Sequence, residues 1–230
     1  MPNVLELKHV CKIYNENTKF PTQVLFDVNL AFEEGSFNAI IGQSGSGKST
    51  ILNILGILDN PSCGEVFIED KEIEILKKDE KSRIRNQVLG FIFQFHYLLP
   101  EFTAIENVLM PFQISGQKVT KDIINRANEL LMLVGLGAYK DNLATNLSGG
   151  QQQRVAIARS LMNQPKIILA DEPTGNLDSD TTDQIYDLLR KINKTFKTTF
   201  IIITHDANIA AKADRIIELK DGKVLTDVLK

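Results

Sequence analysis

Apolar residues in the first third of the chain come in short runs, Val4 to Leu7, Val24 to Leu30, Phe37 to Ile41 and Glu65 to Ile68. Turn clusters such as Glu34-Gly35-Ser36 and Asn60-Pro61-Ser62 separate them, and this spacing predicts a strand-rich layer. Behind Gly47 the period changes: Ile51, Ile54, Leu55 and Leu58 recur at helical spacing directly after the run Phe37 to Ile41, so the order is strand, glycine loop, helix. From about Thr103 to Leu136 the period is helical again, carried by Ile105, Val108 and Leu109 and then by Ile123, Ile124, Ala127, Leu130, Leu131 and Val134. Lys166 to Ala170, Thr199 to Ile203 and Arg215 to Leu219 return as continuous apolar runs separated by helical stretches, the pattern of a parallel sheet buried on both faces. The expectation is an α/β chain forming one domain over residues 1–230, with a mixed or parallel sheet, an N-terminal antiparallel β layer and an inserted helical subdomain at about 94–146.

Composition narrows the picture. With 230 residues, 43% hydrophobic and 24% charged, the chain has enough apolar material for a substantial core. Its formal net charge is -3 with positive charges scattered rather than massed, so the charge pattern pulls it toward neither nucleic acid nor anionic lipid and excludes neither; no nucleic-acid partner is expected, because the sequence has no long coiled-coil insertion and no tandem repeat of itself. Only Cys11 and Cys63 are cysteines, and the start lacks a basic region followed by a long apolar one, which reads as a reduced, cytosolic protein. No apolar run approaches the ~20 residues needed to cross a bilayer. Any membrane role must be borrowed from a partner.

Gly42-Gln43-Ser44-Gly45-Ser46-Gly47-Lys48-Ser49-Thr50 matches the phosphate-binding loop pattern in full and lies between a strand and a helix, as that motif requires. Glycines let successive amides turn inward, and the helix starting near Lys48 adds its dipole, so phosphate oxygens would meet N–H donors. Lys48 would reach the β- and γ-phosphates, and Ser49 would hold Mg²⁺. Ile167-Ile168-Leu169-Ala170-Asp171-Glu172 reads as a buried strand delivering adjacent carboxylates at its carboxyl end, where ligands of open α/β sheets bind. Asp171 fits a carboxylate on the Mg²⁺ side, and Glu172 a base that polarises the attacking water.

Leu147-Ser148-Gly149-Gly150-Gln151, continuing through Gln152-Gln153-Arg154-Val155-Ala156-Ile157-Ala158-Arg159, resembles the signature of the ABC family of P-loop NTPases. Asp171-Glu172-Pro173-Thr174-Gly175-Asn176-Leu177-Asp178 resembles that family's Walker B and D-loop, and the motifs span essentially the whole chain in the family's order. The resemblance implies an ABC ATPase core, with His205 as a catalytic switch histidine, Gln94 as a γ-phosphate and Mg²⁺ sensor, and Tyr14 as the aromatic stacked on adenine. It further implies membrane permease subunits as partners and a second copy of the chain, whose Ser148, Gly149, Gly150 and Gln151 close on the first copy's nucleotide. The residues support that last point independently. Ser148 can cap a helix whose first amides, bare of side chains at Gly149 and Gly150, make a second anion-binding end.

Within the family, Phe93-Gln94-Phe95-His96-Tyr97-Leu98-Leu99-Pro100-Glu101-Phe102-Thr103-Ala104-Ile105-Glu106-Asn107-Val108 is similar to the bacterial lipoprotein-releasing and macrolide-export ATPases. That group implies a peripheral position on the cytoplasmic face of the bacterial inner membrane. Two departures leave the cargo open between lipoproteins and macrolides. Asp141 to Asn146 stands where an Arg-Pro or similar pair is common, and Gln151-Gln152 is closer to the macrolide exporters. A cell-division ATPase working through a membrane partner would share every motif without transporting anything. Phe95, Tyr97, Leu98 and Leu99 end at Pro100 and read as a loop, where so much apolar surface points to a docked partner.

Overall fold

A computed structural model describes residues 2–230, apart from the side chains of Ala207 and Asn208. Its N-terminal layer is antiparallel: β1 (Asn3–Tyr14) lies between β2 (Thr22–Glu33) and β4 (Cys63–Ile68), and the short β5 (Lys71–Glu72) closes the edge. Both long strands run well past the apolar stretches that foretell them, because bulges interrupt the alternation. His9 and Asp27 take left-handed φ of 52° and 51°, and the β1/β2 register shifts between Leu7 and Val10.

Among the described residues the main sheet has six strands. β3 (Phe37–Ile41), β6 (Leu89–Phe93), β7 (Ile167–Asp171), β8 (Thr199–Ile203) and β9 (Arg215–Lys220) are parallel, and β10 (Lys223–Leu229) returns antiparallel on β9. The spatial order is β10-β9-β3-β8-β7-β6. Successive side chains of a strand point to opposite faces, so each central strand feeds two cores. Phe200, Ile202, Ile168, Ala170, Phe37 and Ala39 face one core, with α3 (Ala104–Ile114), α4 (Lys121–Leu133), α5 (Gly149–Ser160) and α6 (Ser179–Phe196). Ile201, Ile203, Ile167, Leu169 and Ile40 face the other, with α1 (Lys48–Leu55) and the antiparallel layer. On α6, Ile185, Leu189 and Ile192 are wholly buried, worth about 1.5–3 kcal/mol each. Buried on both faces, these strands have no polar side to alternate with, which is why they read as continuous apolar runs.

α2 (Lys78–Gln87) was not foretold by the apolar pattern, because its sequence KDEKSRIRNQ buries no residue. α7 (Ala207–Ala211) follows β8. The strand order brings the carboxyl ends of β3, β8 and β7 side by side. The loop after β8 therefore lies between the glycine loop after β3 and the carboxylates after β7, in the crevice where open α/β sheets hold ligands.

Candidate functional site

The glycine loop leaves β3 at Ile41 and ends at Gly47, whose φ of 101° caps the first turn of α1. No side chain caps that end, so the first amides of α1 are left for a ligand. The Lys48 ammonium is folded into the loop, donating to the carbonyls of Gly42 at 2.7 Å and Gln43 at 2.8 Å. The Ser46 hydroxyl is buried, with no hydrogen-bond partner among the described residues, and packs behind the loop, 2.7 Å from where a Cβ on Gly42 would stand. Gly42, Gln43, Ser44, Gly45, Gly47, Lys48, Ser49 and Thr50 line a cleft of about 430 Å³, and Glu172 and His205 form its far wall.

At the end of β7 the two carboxylates diverge. Burial and then the charge of Glu172 push Asp171 above the ordinary aspartate range, and the positive charge of Lys48 opposes them. Asp171 therefore lies within the field of the phosphate-loop lysine. Glu172 adopts φ 42°, costly for a residue with a Cβ, while its amide donates to Ile203 at 3.0 Å. This twist turns its side chain out of the sheet, and Glu172 Oε1 meets His205 Nδ1 at 3.1 Å, an ion pair when the histidine is protonated. Ser49 and Asp171 offer hard oxygen donors, the chemistry that suits Mg²⁺.

Ser148 caps α5: its hydroxyl accepts from the Gln151 amide at 3.3 Å, and the Gln151 side chain accepts from the Ser148 amide at 2.9 Å, a closed capping box. Two side chains of α5 tie this helix to the rest of the site. Gln153 is fully buried and donates to the carbonyl of Pro173, next to Glu172, at 2.5 Å. Arg159 donates to the carbonyls of Tyr97 at 2.6 Å and His96 at 2.7 Å, and burial lowers its guanidinium from the usual arginine value. The loop it holds leaves Phe95 63% and Tyr97 65% exposed while Leu98 packs against the core.

Ser46 and Asp171 do not line the cleft, and Gln94 and Tyr14 are held by partners of their own away from it. Gln94 is bound by Asn176, its amide donating to Asn176 Oδ1 and its carbonyl accepting from Asn176 Nδ2, both at 3.3 Å. Tyr14 lies at the end of β1 with its hydroxyl donating to Asp59 at 3.0 Å and Lys12 over its ring. The cleft walls include neither of them; Val24 and Ile203 are there instead. The structure also adds residues that the sequence reading passed over. Gly222, at the tip of the β9/β10 hairpin, donates its amide to the Ser46 carbonyl at 3.1 Å and accepts from the Phe26 amide at 2.9 Å. The Asp221-Gly222 pair was a legible turn signal; its contact with the phosphate loop was not.

Residues 25–175 match the family model described as ABC transporter. The chain is 49% identical to the lipoprotein-releasing system ATP-binding protein LolD of Shewanella frigidimarina, over 95% of this chain and 91% of that one. It is 45% identical to LolD 1 of Rhodopseudomonas palustris, over 97% and 99%. Among solved structures it is similar to the ATP-binding cassette MJ0796, a dimer in a post-hydrolysis state bound to ADP and Pi, with TM-score 0.89, 44% identity and 98% of each chain covered. It is also similar to cbiO1 of Clostridium perfringens, part of the ABC transporter complex cbiONQ, with TM-score 0.89, 29% identity, and 99% and 88% covered.

Proposed function

The chain belongs to the ABC transporter family and hydrolyses ATP, and from that premise we propose that it drives a separate membrane permease releasing lipoproteins from the bacterial inner membrane. One observation carries the catalytic part: the Lys48 loop and the Glu172–His205 pair, 3.1 Å apart, face each other across one cleft. ATP phosphates take the loop amides, and Lys48 exchanges its carbonyl partners for phosphate oxygens. Glu172 accepts a proton from the attacking water, and His205 orients that carboxylate. Mg²⁺, held by Ser49 and Asp171, would neutralise phosphate charge. The reading keeps Gln94 as a further Mg²⁺ and γ-phosphate contact and Tyr14 as an adenine contact, each reached when nucleotide draws its loop inward.

The Ser148 end of α5 serves a second copy's nucleotide, giving a two-site sandwich. We take residues 94–146 as a helical insertion that moves with α5 and presents Phe95, Tyr97 and Leu99 to the permease. Among the described residues no helix is long and apolar enough to cross a membrane, consistent with a peripheral subunit on the cytoplasmic face. Similarity to LolD proteins favours lipoprotein cargo over macrolides. Depleting the protein in its own bacterium tests this. Acylated lipoproteins are expected to accumulate in the inner membrane, and a permease to co-purify from detergent extracts. Normal lipoprotein sorting with heightened macrolide sensitivity would reverse the cargo assignment.

A further inference from the structure

Cys11 and Cys63 are the only cysteines of the chain, and the nucleotide site uses neither. β1 and β4 place them directly opposite each other. The ladder is irregular there, with a register shift between Lys8 and Cys11 around the left-handed His9. The bulge brings β4 in close: a Cβ on Gly64 would stand 2.3 Å from the His9 carbonyl oxygen, so only glycine fits beside Cys63. As a result both sulfurs face one acceptor, each 3.8 Å from the His9 oxygen. Directly opposed antiparallel residues have Cα atoms about 4.5–5.5 Å apart, inside the ~4.4–6.8 Å that a disulfide spans. Both thiols are free, Cys63 exposed and Cys11 half-buried.

We propose that Cys11 and Cys63 form a dithiol site that a low-molecular-weight disulfide, such as oxidised glutathione, converts reversibly into an intramolecular bridge. The Cys63 thiolate attacks one sulfur of the small disulfide, forming a mixed disulfide and releasing one thiol. Cys11 then attacks the Cys63 sulfur and releases the second. One small disulfide is reduced to two thiols, the protein dithiol is oxidised, and the same exchange run backward with excess thiol restores it. Hydrogen bonds around the pair tie β1 to the segment that leads into β4. Lys12 donates to Asp59 at 2.6 Å and to the Asn60 carbonyl at 2.7 Å, Ser62 to the Ile13 carbonyl at 3.2 Å, and Tyr14 to Asp59 at 3.0 Å. Cys11, directly opposite Cys63 across the ladder, is the thiol placed to resolve an adduct on Cys63.

The test uses the purified, fully reduced chain incubated with oxidised glutathione. A mildly alkaline buffer is chosen because the Cys11 thiol alongside pushes Cys63 above its ordinary value. Intact mass is expected to fall by two hydrogens with no glutathione retained, non-reducing peptide mapping to join the segments containing Cys11 and Cys63, and dithiothreitol to reverse both. Cys11→Ser is expected to keep one glutathione on Cys63. A wild-type protein that retains glutathione, or whose thiols both remain open to alkylation after treatment, overturns the proposal. None of these readouts depends on transport or on ATP hydrolysis, so they stand apart from the functional reading above.

Discussion

Lys48 shows how one side chain is prepared before its ligand arrives. Its ammonium is held against the loop's own carbonyls, so in the proposed site ATP binding exchanges two neutral acceptors for charged ones rather than ordering a free side chain. Hydrogen bonds to charged groups are worth about 1.5–3 kcal/mol each, and Lys48→Ala is expected to weaken ATP binding by roughly ten- to a hundredfold. Equilibrium titration with a fluorescent ATP analogue measures it, and unchanged affinity would remove Lys48 from the site. Asp171 behaves in the opposite sense. Burial, then Glu172, raise it against Lys48, so the folded chain keeps this proton to higher pH than the unfolded chain does. Its contribution favours the fold below the ordinary aspartate value and is lost as pH rises through the raised one. Asp171→Asn should therefore raise the melting temperature of the nucleotide-free protein at neutral pH, with the gain shrinking as pH falls toward the ordinary aspartate value. A pH-independent difference, measured by calorimetry, would contradict this account.

Single elements of the site depend on neighbours remote in sequence. The β9/β10 hairpin braces the phosphate loop through Gly222, whose φ is +74° and where a Cβ would stand 2.2 Å from the Val24 carbonyl. Gly222→Ala is strained in both respects, and a loss of about 1–3 kcal/mol of stability is expected, together with weaker ATP binding because the tip leaves Ser46. Urea unfolding and nucleotide titration check the two effects separately. The capping box that starts α5 was legible, since Ser148 and Gln151 carry the spacing in the sequence. The ties from Gln153 to Pro173 and from Arg159 to the loop at 96–97 were not, because neither partner is a side chain and backbone carbonyls leave no mark in a sequence.

At the scale of the molecule, Lys48, Glu172 and His205 line one cleft, while the Ser148 end belongs to a helix tied to another loop. Glu172→Gln should slow hydrolysis by roughly a hundred- to ten-thousandfold while sparing ATP binding. With Mg-ATP it should also accumulate a head-to-tail dimer, read by light scattering and by crosslinks from Ser46 to Ser148 across chains. A monomer at saturating Mg-ATP would deny the sandwich to the isolated subunit. The loop after Gln94 holds Phe95, Tyr97 and Leu99 in solvent. Tyr97→Ala and Leu99→Ala are therefore expected to leave melting and Mg-ATP binding unchanged while lowering permease co-purification. A large loss of stability in the isolated subunit would make this loop part of its own core.

The phosphate loop, the strand-end carboxylates, the α5 cap and the continuous apolar runs of a sheet buried on both faces were set by the sequence alone, because each is a short-range pattern of residue type and spacing. The family resemblance added an expectation for His205, and the fold brought it beside Glu172. The length of β1 and β2 and the existence of α2 were not legible, since bulges break the strand period and a helix that buries nothing has no apolar face to read. Tertiary structure alone decided which strand ends stand together, how Gly222 meets the phosphate loop, and that Gln94 and Tyr14 lie off the cleft, bound to Asn176 and Asp59. Those outcomes depend on contacts between residues distant in the chain, formed only once the β10-β9-β3-β8-β7-β6 order is in place.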